Sequence, residues 1–134
     1  MSVGSEPPVG NFLDRFVLPP GPDAPRQARR RLTADLTGSG VPAEVTETVL
    51  LLATELVTNA VLHGHGEPVL EIRTTERLVW VGVRDPDHHP PRVRHVDAES
   101  LGGRGLHLVE ALAEDWGAAR VPGDGKTVWF LLRR

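Results

Sequence analysis

Residues 53–64 read ATELVTNAVLHG, and the fold turns on what this stretch is. Taken as helix, it continues an apolar stripe that begins upstream. Val45, Val49, Leu52, Leu56 and Ala60 recur at three-to-four spacing, so one side of the segment packs against something. Glu55, Asn59 and His63 recur four apart and line the edge of that stripe. Burying an unpartnered neutral polar group costs about 1–3 kcal/mol, and a charge costs more. A carboxylate and an amide one turn apart beside a packed face therefore require something to meet them.

The helix should start near Pro42 and end at Leu62 or His63, with Gly64 closing it in a left-handed conformation. Before it, FLDRFVLPP reads as a short strand stopped by prolines. A first helix follows: Pro25 suits an early helical position, Leu32 and Leu36 lie four apart, and Gly38 or Gly40 gives the exit. After the long helix, VLEIR and LVWVGVRD read as two strands joined by the polar turn TTER. In the second, Val79, Val81 and Val83 share a face, and alternation puts Asp85 on it as well. An acid ends a hydrophobic row.

Residues 86–103, rich in Pro, Asp, His and Gly, form no regular element and are long enough for a lid. GRGLHLVEALAEDWG reads as a glycine-opened helix with Leu106, Val109 and Leu112 or Ala113 inward. AARV and TVWFLLRR, either side of the PGDGK turn, close the chain as a hairpin. Residues 1–10 read as a flexible tail, and 11–134 as one domain. Strands joined by tight turns are antiparallel, so the order of elements implies an α/β (α+β) two-layer sandwich: a mixed, mostly antiparallel sheet with three helices on one face.

Composition narrows the function. A chain of 134 residues fits a single domain. A formal net charge of −3 leaves no broad cationic footprint for nucleic acid or an anionic membrane. No cysteine is present, which removes disulfides, thiolate metal sites and thiol nucleophiles and fits a reducing compartment, with the cytoplasm as the expected location. No apolar run approaches the roughly 20 residues a bilayer crossing needs, and the start of the chain lacks the features of a signal peptide.

Four polar features interrupt the apolar elements: Glu55 with Asn59, Asp85, the Gly102-Gly103-Arg104-Gly105 helix entrance, and Gly125-Lys126-Thr127 at the last strand. Each suits a nucleotide. The Asn59 amide oxygen is a hard ligand for Mg²⁺, which takes one or two protein ligands beside phosphates. Glu55 can hold a metal-bound water or accept a proton from an attacking hydroxyl. Asp85 can accept a hydrogen bond from an exocyclic amine such as that of adenine. Gly103 and Gly105 let backbone N–H groups approach phosphates at a helix N-terminus, where Arg104 can add a charge.

At these residues the sequence resembles the GHKL ATPase superfamily, whose members include gyrase B and histidine-kinase catalytic domains. TELVTNAVLHG looks like its N box, GGRGLHLVEALAEDWG like its second glycine box, and GKTVWF like its final G-T strand. VRDPDHHPP stands where the superfamily has a D-x-G-x-G box, with Pro86-Asp87-His88-His89 in place of the two glycines. The resemblance runs over about residues 12 to 133, and a unit this short is most similar to the RsbW-type anti-sigma-factor serine/threonine kinases.

That resemblance implies a Bergerat-type ATP-binding fold, with ATP and Mg²⁺ as cofactors. It gives Asn59 the metal, Glu55 the role of catalytic base, and Asp85 the adenine amine. Gly103, Arg104, Gly105 and Leu106 would wrap the phosphates, and Thr127 would support adenine through Asp85 and water. The implied activity is phosphorylation of a small anti-anti-sigma (STAS-type) partner, with sequestration of a sigma factor; family members often form homodimers. The loop after Asp85 instead favours the alternative, a regulatory binding module of the same fold without catalysis. A stand-alone ATPase is the third reading.

Other features have plainer readings. The six histidines, including His63 and His65 and the pair His88-His89, show no His-x-x-x-His pair within one expected helix, and read as solvated loop residues. Arg26, Arg29 and Arg30 share a face of the first helix, either solvated or a contact for an acidic partner. Trp80, Trp116 and Trp129 are expected in the core or covering the sheet.

Overall fold

Alternating side chains become strands and three-to-four repeats become helices where the sequence leads one to expect them. A computed structural model describes residues 11–63, 66–86, 104–121 and 125–134, with the backbone alone at His63, Arg104, Gly105, Leu106 and Val121. The elements are β1 (Asn11–Val17), α1 (Ala24–Gly38), α2 (Ala43–His63), β2 (Val69–Thr74), β3 (Leu78–Asp85), α3 (Arg104–Leu112), β4 (Asp115–Val121) and β5 (Gly125–Arg133). The expected tail, residues 1–10, and all of the expected lid after Pro86, with Gly103 in it, lie outside the described residues.

The strands form one sheet in the order β1-β2-β3-β5-β4. All four neighbouring pairs are antiparallel, where a mixed sheet was expected. The reason lies in the connections. Two helices separate β1 from β2, so the chain returns to its neighbour reversed. One helix separates β3 from β4, which makes those two strands parallel in direction, but β5 inserts between them and is antiparallel to both.

The register assigns faces. Leu70 and Ile72 of β2, Val79, Val81 and Val83 of β3, Trp116 and Ala118 of β4, and Val128, Phe130 and Leu132 of β5 form one apolar layer. α2 lies on that layer, packed against β3 and β5, and both α1 and α3 pack against it. Because α2 is enclosed on several sides, its buried surface is wider than the stripe read from sequence: Leu50, Ala53 and Val57 are buried beside Val49, Leu52 and Leu56. Ala43–Leu62 is in fact long and apolar enough, by length and composition, to cross a bilayer, with a mean hydropathy of 1.5. Its leucines, valines and alanines raise that average, and here the helix is the central column of the core.

Two boundaries differ from expectation. α3 ends at Leu112, and Asp115, Trp116 and Gly117 begin β4, with Trp116 in the core. Val109 is fully buried on α3, whereas Leu112 is 47% exposed and Ala113 takes the inward position. The turn after β2 is built by Thr75, whose hydroxyl accepts from the backbone N–H groups of Arg77 (3.2 Å) and Leu78 (3.0 Å). Arg134 then ties this turn to the end of α1, donating to the Thr75 carbonyl at 2.9 Å and to the Ser39 carbonyl at 2.7 Å.

The opposite face of the sheet carries Trp80 and Trp129, buried at 4% and 5% exposure, with neither indole nitrogen hydrogen-bonded. Both lie outside the core cluster that holds Trp116. The basic face of α1 is partly paired within the chain, Arg26 with Asp23 and Arg29 with Glu47 at 3.8 Å. A neighbouring arginine on that helix, Arg31, reaches β1: it holds both Asp14 carboxylate oxygens, at 2.9 and 3.0 Å, and stacks 4.5 Å above the Phe16 ring.

Candidate functional site

Three elements converge at one end of the sheet. α2 contributes Leu56, Asn59 and Ala60, β3 contributes Val83 and Asp85, and β5 contributes Lys126 and Val128; together they line a small cleft, partly open to solvent. The base of the cleft is apolar and its polar groups are few, which is how ligand sites fix orientation.

Asn59 faces this cleft because it follows Glu55 on the edge of the buried stripe of α2. Its amide nitrogen is buried without a hydrogen-bond partner among the described residues, a cost those residues do not recover. Asp85 stands on the core face at the end of β3, where alternation from Val79 places it, and is 6% exposed. Residues on separate elements, Asn59 and Asp85, thus share one cleft.

The other expected residues divide. Glu55 is half-buried one turn before Asn59 and does not line the cleft. α3 begins at Arg104, as the glycine-opened helix required, so Gly105 and Leu106 lie in its first turn and the helix packs beside α2. Thr127 pairs with Arg84 across β3 and β5, which puts its side chain on the sheet face away from Asp85. The residue opposite Asp85 is Lys126.

The position of Lys126 is legible in the sequence. Counting back by twos from the buried Phe130 and Val128 places Lys126 on the core face, the same argument that located Asp85. The strands are also locked in this register. Gly125 has a positive φ of 82°, and a Cβ on it would stand 1.9 Å from the Asp85 carbonyl oxygen, so only glycine lets β5 approach the end of β3 this closely.

Among the described residues, no three His, Asp or Glu side chains gather as metal ligands would. A Mg²⁺ ion held by one amide oxygen and nucleotide phosphates requires no such group. An orphaned amide nitrogen, a buried carboxylate and an ammonium-bearing side chain around an apolar floor fit an adenine nucleotide.

A family model described as the histidine kinase-like ATPase domain matches residues 18–132, most of the chain. A search of curated proteins returns no match.

Proposed function

The chain belongs to the histidine kinase-like ATPase domain family, and from that premise we propose that it is an ATP- and Mg²⁺-dependent serine/threonine protein kinase of the anti-sigma type. Its acceptor would be a small STAS-type anti-anti-sigma protein, and its regulatory target a sigma factor. The observation that supports this most is the buried, unpartnered amide nitrogen of Asn59 in the same cleft as the buried carboxylate of Asp85.

Asn59 would hold Mg²⁺ through its amide oxygen, leaving the amide nitrogen to meet a nucleotide or water oxygen. Asp85 would accept from the adenine amine. Backbone N–H groups in the first turn of α3, at Arg104, Gly105 and Leu106, would face phosphate, where the helix N-terminus favours negative charge. Glu55 would take the proton of the attacking serine hydroxyl. Bound Mg-ATP supplies the phosphoryl group and the charge neutralisation that its transfer needs.

The test is incubation of the full chain with labelled ATP and Mg²⁺ and with the STAS-domain proteins of the same cell. A labelled acceptor, lost with Asn59→Ala, is the expected result; transfer retained by that variant overturns the assignment. ATP binding without transfer to any acceptor would instead establish the second reading, a regulatory module that acts by docking. Pro86, where the superfamily has a flexible glycine-rich box, favours that second reading.

A further inference from the structure

We propose that Lys126 reads the base of the bound nucleotide, donating to the ring nitrogen N1 of adenine beside the Asp85 contact to the amine, and thereby sets adenine over guanine. This rests on the nucleotide reading of the cleft.

The geometry comes from the register. Asp85 and Lys126 are direct cross-strand partners on the core face, and both line the cleft. Directly opposed residues have Cβ atoms about 4.5–5.5 Å apart, close enough for the carboxylate and the longer lysine side chain to converge on neighbouring atoms of one purine edge. The pair cannot slip, because Gly125 holds β5 against the Asp85 backbone. On its other side Lys126 faces Arg120 of β4. Like charges directly opposed repel, so the ammonium is biased toward Asp85 and the cleft. Val83 and Val128 give the apolar floor on which a ring would rest.

The chemistry of the pair is directional. An ionised carboxylate only accepts hydrogen bonds and an ammonium only donates. Adenine presents an amine donor at position 6 and an acceptor at N1, matching Asp85 and Lys126 in order. Guanine presents an acceptor at position 6 and a donor at N1, so in the same pose both contacts oppose like with like. A hydroxyl can serve as donor or acceptor; an ammonium cannot. Lys126 therefore sharpens a discrimination that Asp85 would make alone.

The test is calorimetric titration of the full chain, wild type, Lys126→Met and Lys126→Arg, with the Mg²⁺ complexes of ATP, GTP and 1-deaza-ATP, which lacks the N1 acceptor. Wild type should bind 1-deaza-ATP roughly 10-fold or more weaker than ATP, the scale of one hydrogen bond to a charged group. Lys126→Met should bind ATP weaker by a similar factor, no longer distinguish 1-deaza-ATP from ATP, and show a smaller ratio of ATP to GTP affinity. Lys126→Arg, which keeps a donor, should retain part of the N1 preference. Equal binding of ATP and 1-deaza-ATP by wild type overturns the proposal even if the methionine variant fails to fold. So does a Lys126→Met variant that loses ATP and 1-deaza-ATP equally, which would place the ammonium on phosphate. If wild type binds no ATP, the nucleotide reading itself fails with it.

Discussion

Gly125 lies against the backbone of Asp85 so tightly that a Cβ at position 125 would stand 1.9 Å from the Asp85 carbonyl oxygen and 2.9 Å from the Pro86 Cα. With φ at +82° the position is also one that L side chains rarely adopt. Gly125→Ala is expected to push the start of β5 off the end of β3 and to cost on the order of 2–4 kcal/mol, combining overpacking with backbone strain. Denaturant unfolding reads the loss of stability. Because Asp85 and Lys126 move apart, ATP affinity should fall in any folded fraction.

Asn59→Ala should behave in the opposite way without ligand. The side chain has an orphaned buried amide nitrogen, and alanine is the better helix former by a few tenths of a kcal/mol. Stability of the free protein is expected to stay within about 1 kcal/mol of wild type or to rise, while the increase in melting temperature given by Mg-ATP disappears. Thermal unfolding with and without nucleotide reads both. A residue kept only for the fold would give a large loss in the free protein.

Asp14 and Asp35 form a proton-sensitive pair around Arg31. Burial, then the hydrogen bond to Asp14 and its negative charge, push the Asp35 pKa from the usual carboxylate value to about 7. Burial works against ionisation of Asp14 too, but hydrogen bonds with Arg31, Asp35 and the Arg15 backbone keep its pKa below the ordinary value. Asp35 Oδ2 is buried without a donor, so the neutral acid is the better occupant. A raised folded pKa means that the native state holds this proton while the unfolded state releases it. The contribution of Asp35 to stability is thus full below about pH 4 and lost as pH rises to about 7. Asp35→Asn should remove that decline, so that the difference between variant and wild type grows across this window. Asp14, with the opposite shift, loses its contribution only at more acidic pH. Denaturant titrations from pH 4 to 8 measure the slope.

Trp80 folds over Gly82 on the face of the sheet away from the helices, where a Cβ at 82 would stand 2.4 Å from the ring. Gly82→Ala is expected to destabilise by about 1–3 kcal/mol by displacing a buried indole. In the background of Trp80→Leu the same change should cost much less, since the ring that it strikes is gone. A double-mutant cycle measures the coupling, and the tryptophan emission of Gly82→Ala should shift to the red as the ring is forced toward solvent.

Much of this architecture can be read from local periodicity, and what cannot is long-range. The stripe from Val45 to Ala60 defined α2, and alternation from Val79 put Asp85 on the core face, because both depend only on neighbours in sequence. Lys126, which lines the cleft, follows from the same rule; the resemblance of GKTVWF to a G-T strand points one residue further, to Thr127, and a shift of one residue changes faces. The end of α3 differs for a related reason: the helix stops at Leu112, with Ala113 taking the inward position, and no apolar pattern marks the point at which its geometry ends. The grip of Arg31 on Asp14 has no periodic signature at all, since it joins a strand to a helix across an intervening loop. The seat of Trp80 on Gly82 is likewise a matter of ring orientation, which residue spacing does not carry.

The cleft draws its walls from α2, β3 and β5, three segments widely separated along the chain and joined only through the assembled sheet. No fragment of the protein contains half a binding site in working form. Occupancy is consequently tied to the cooperative unfolding of the whole molecule rather than to local opening, and a ligand seated there should slow amide exchange in the deepest strands as much as at its own contacts.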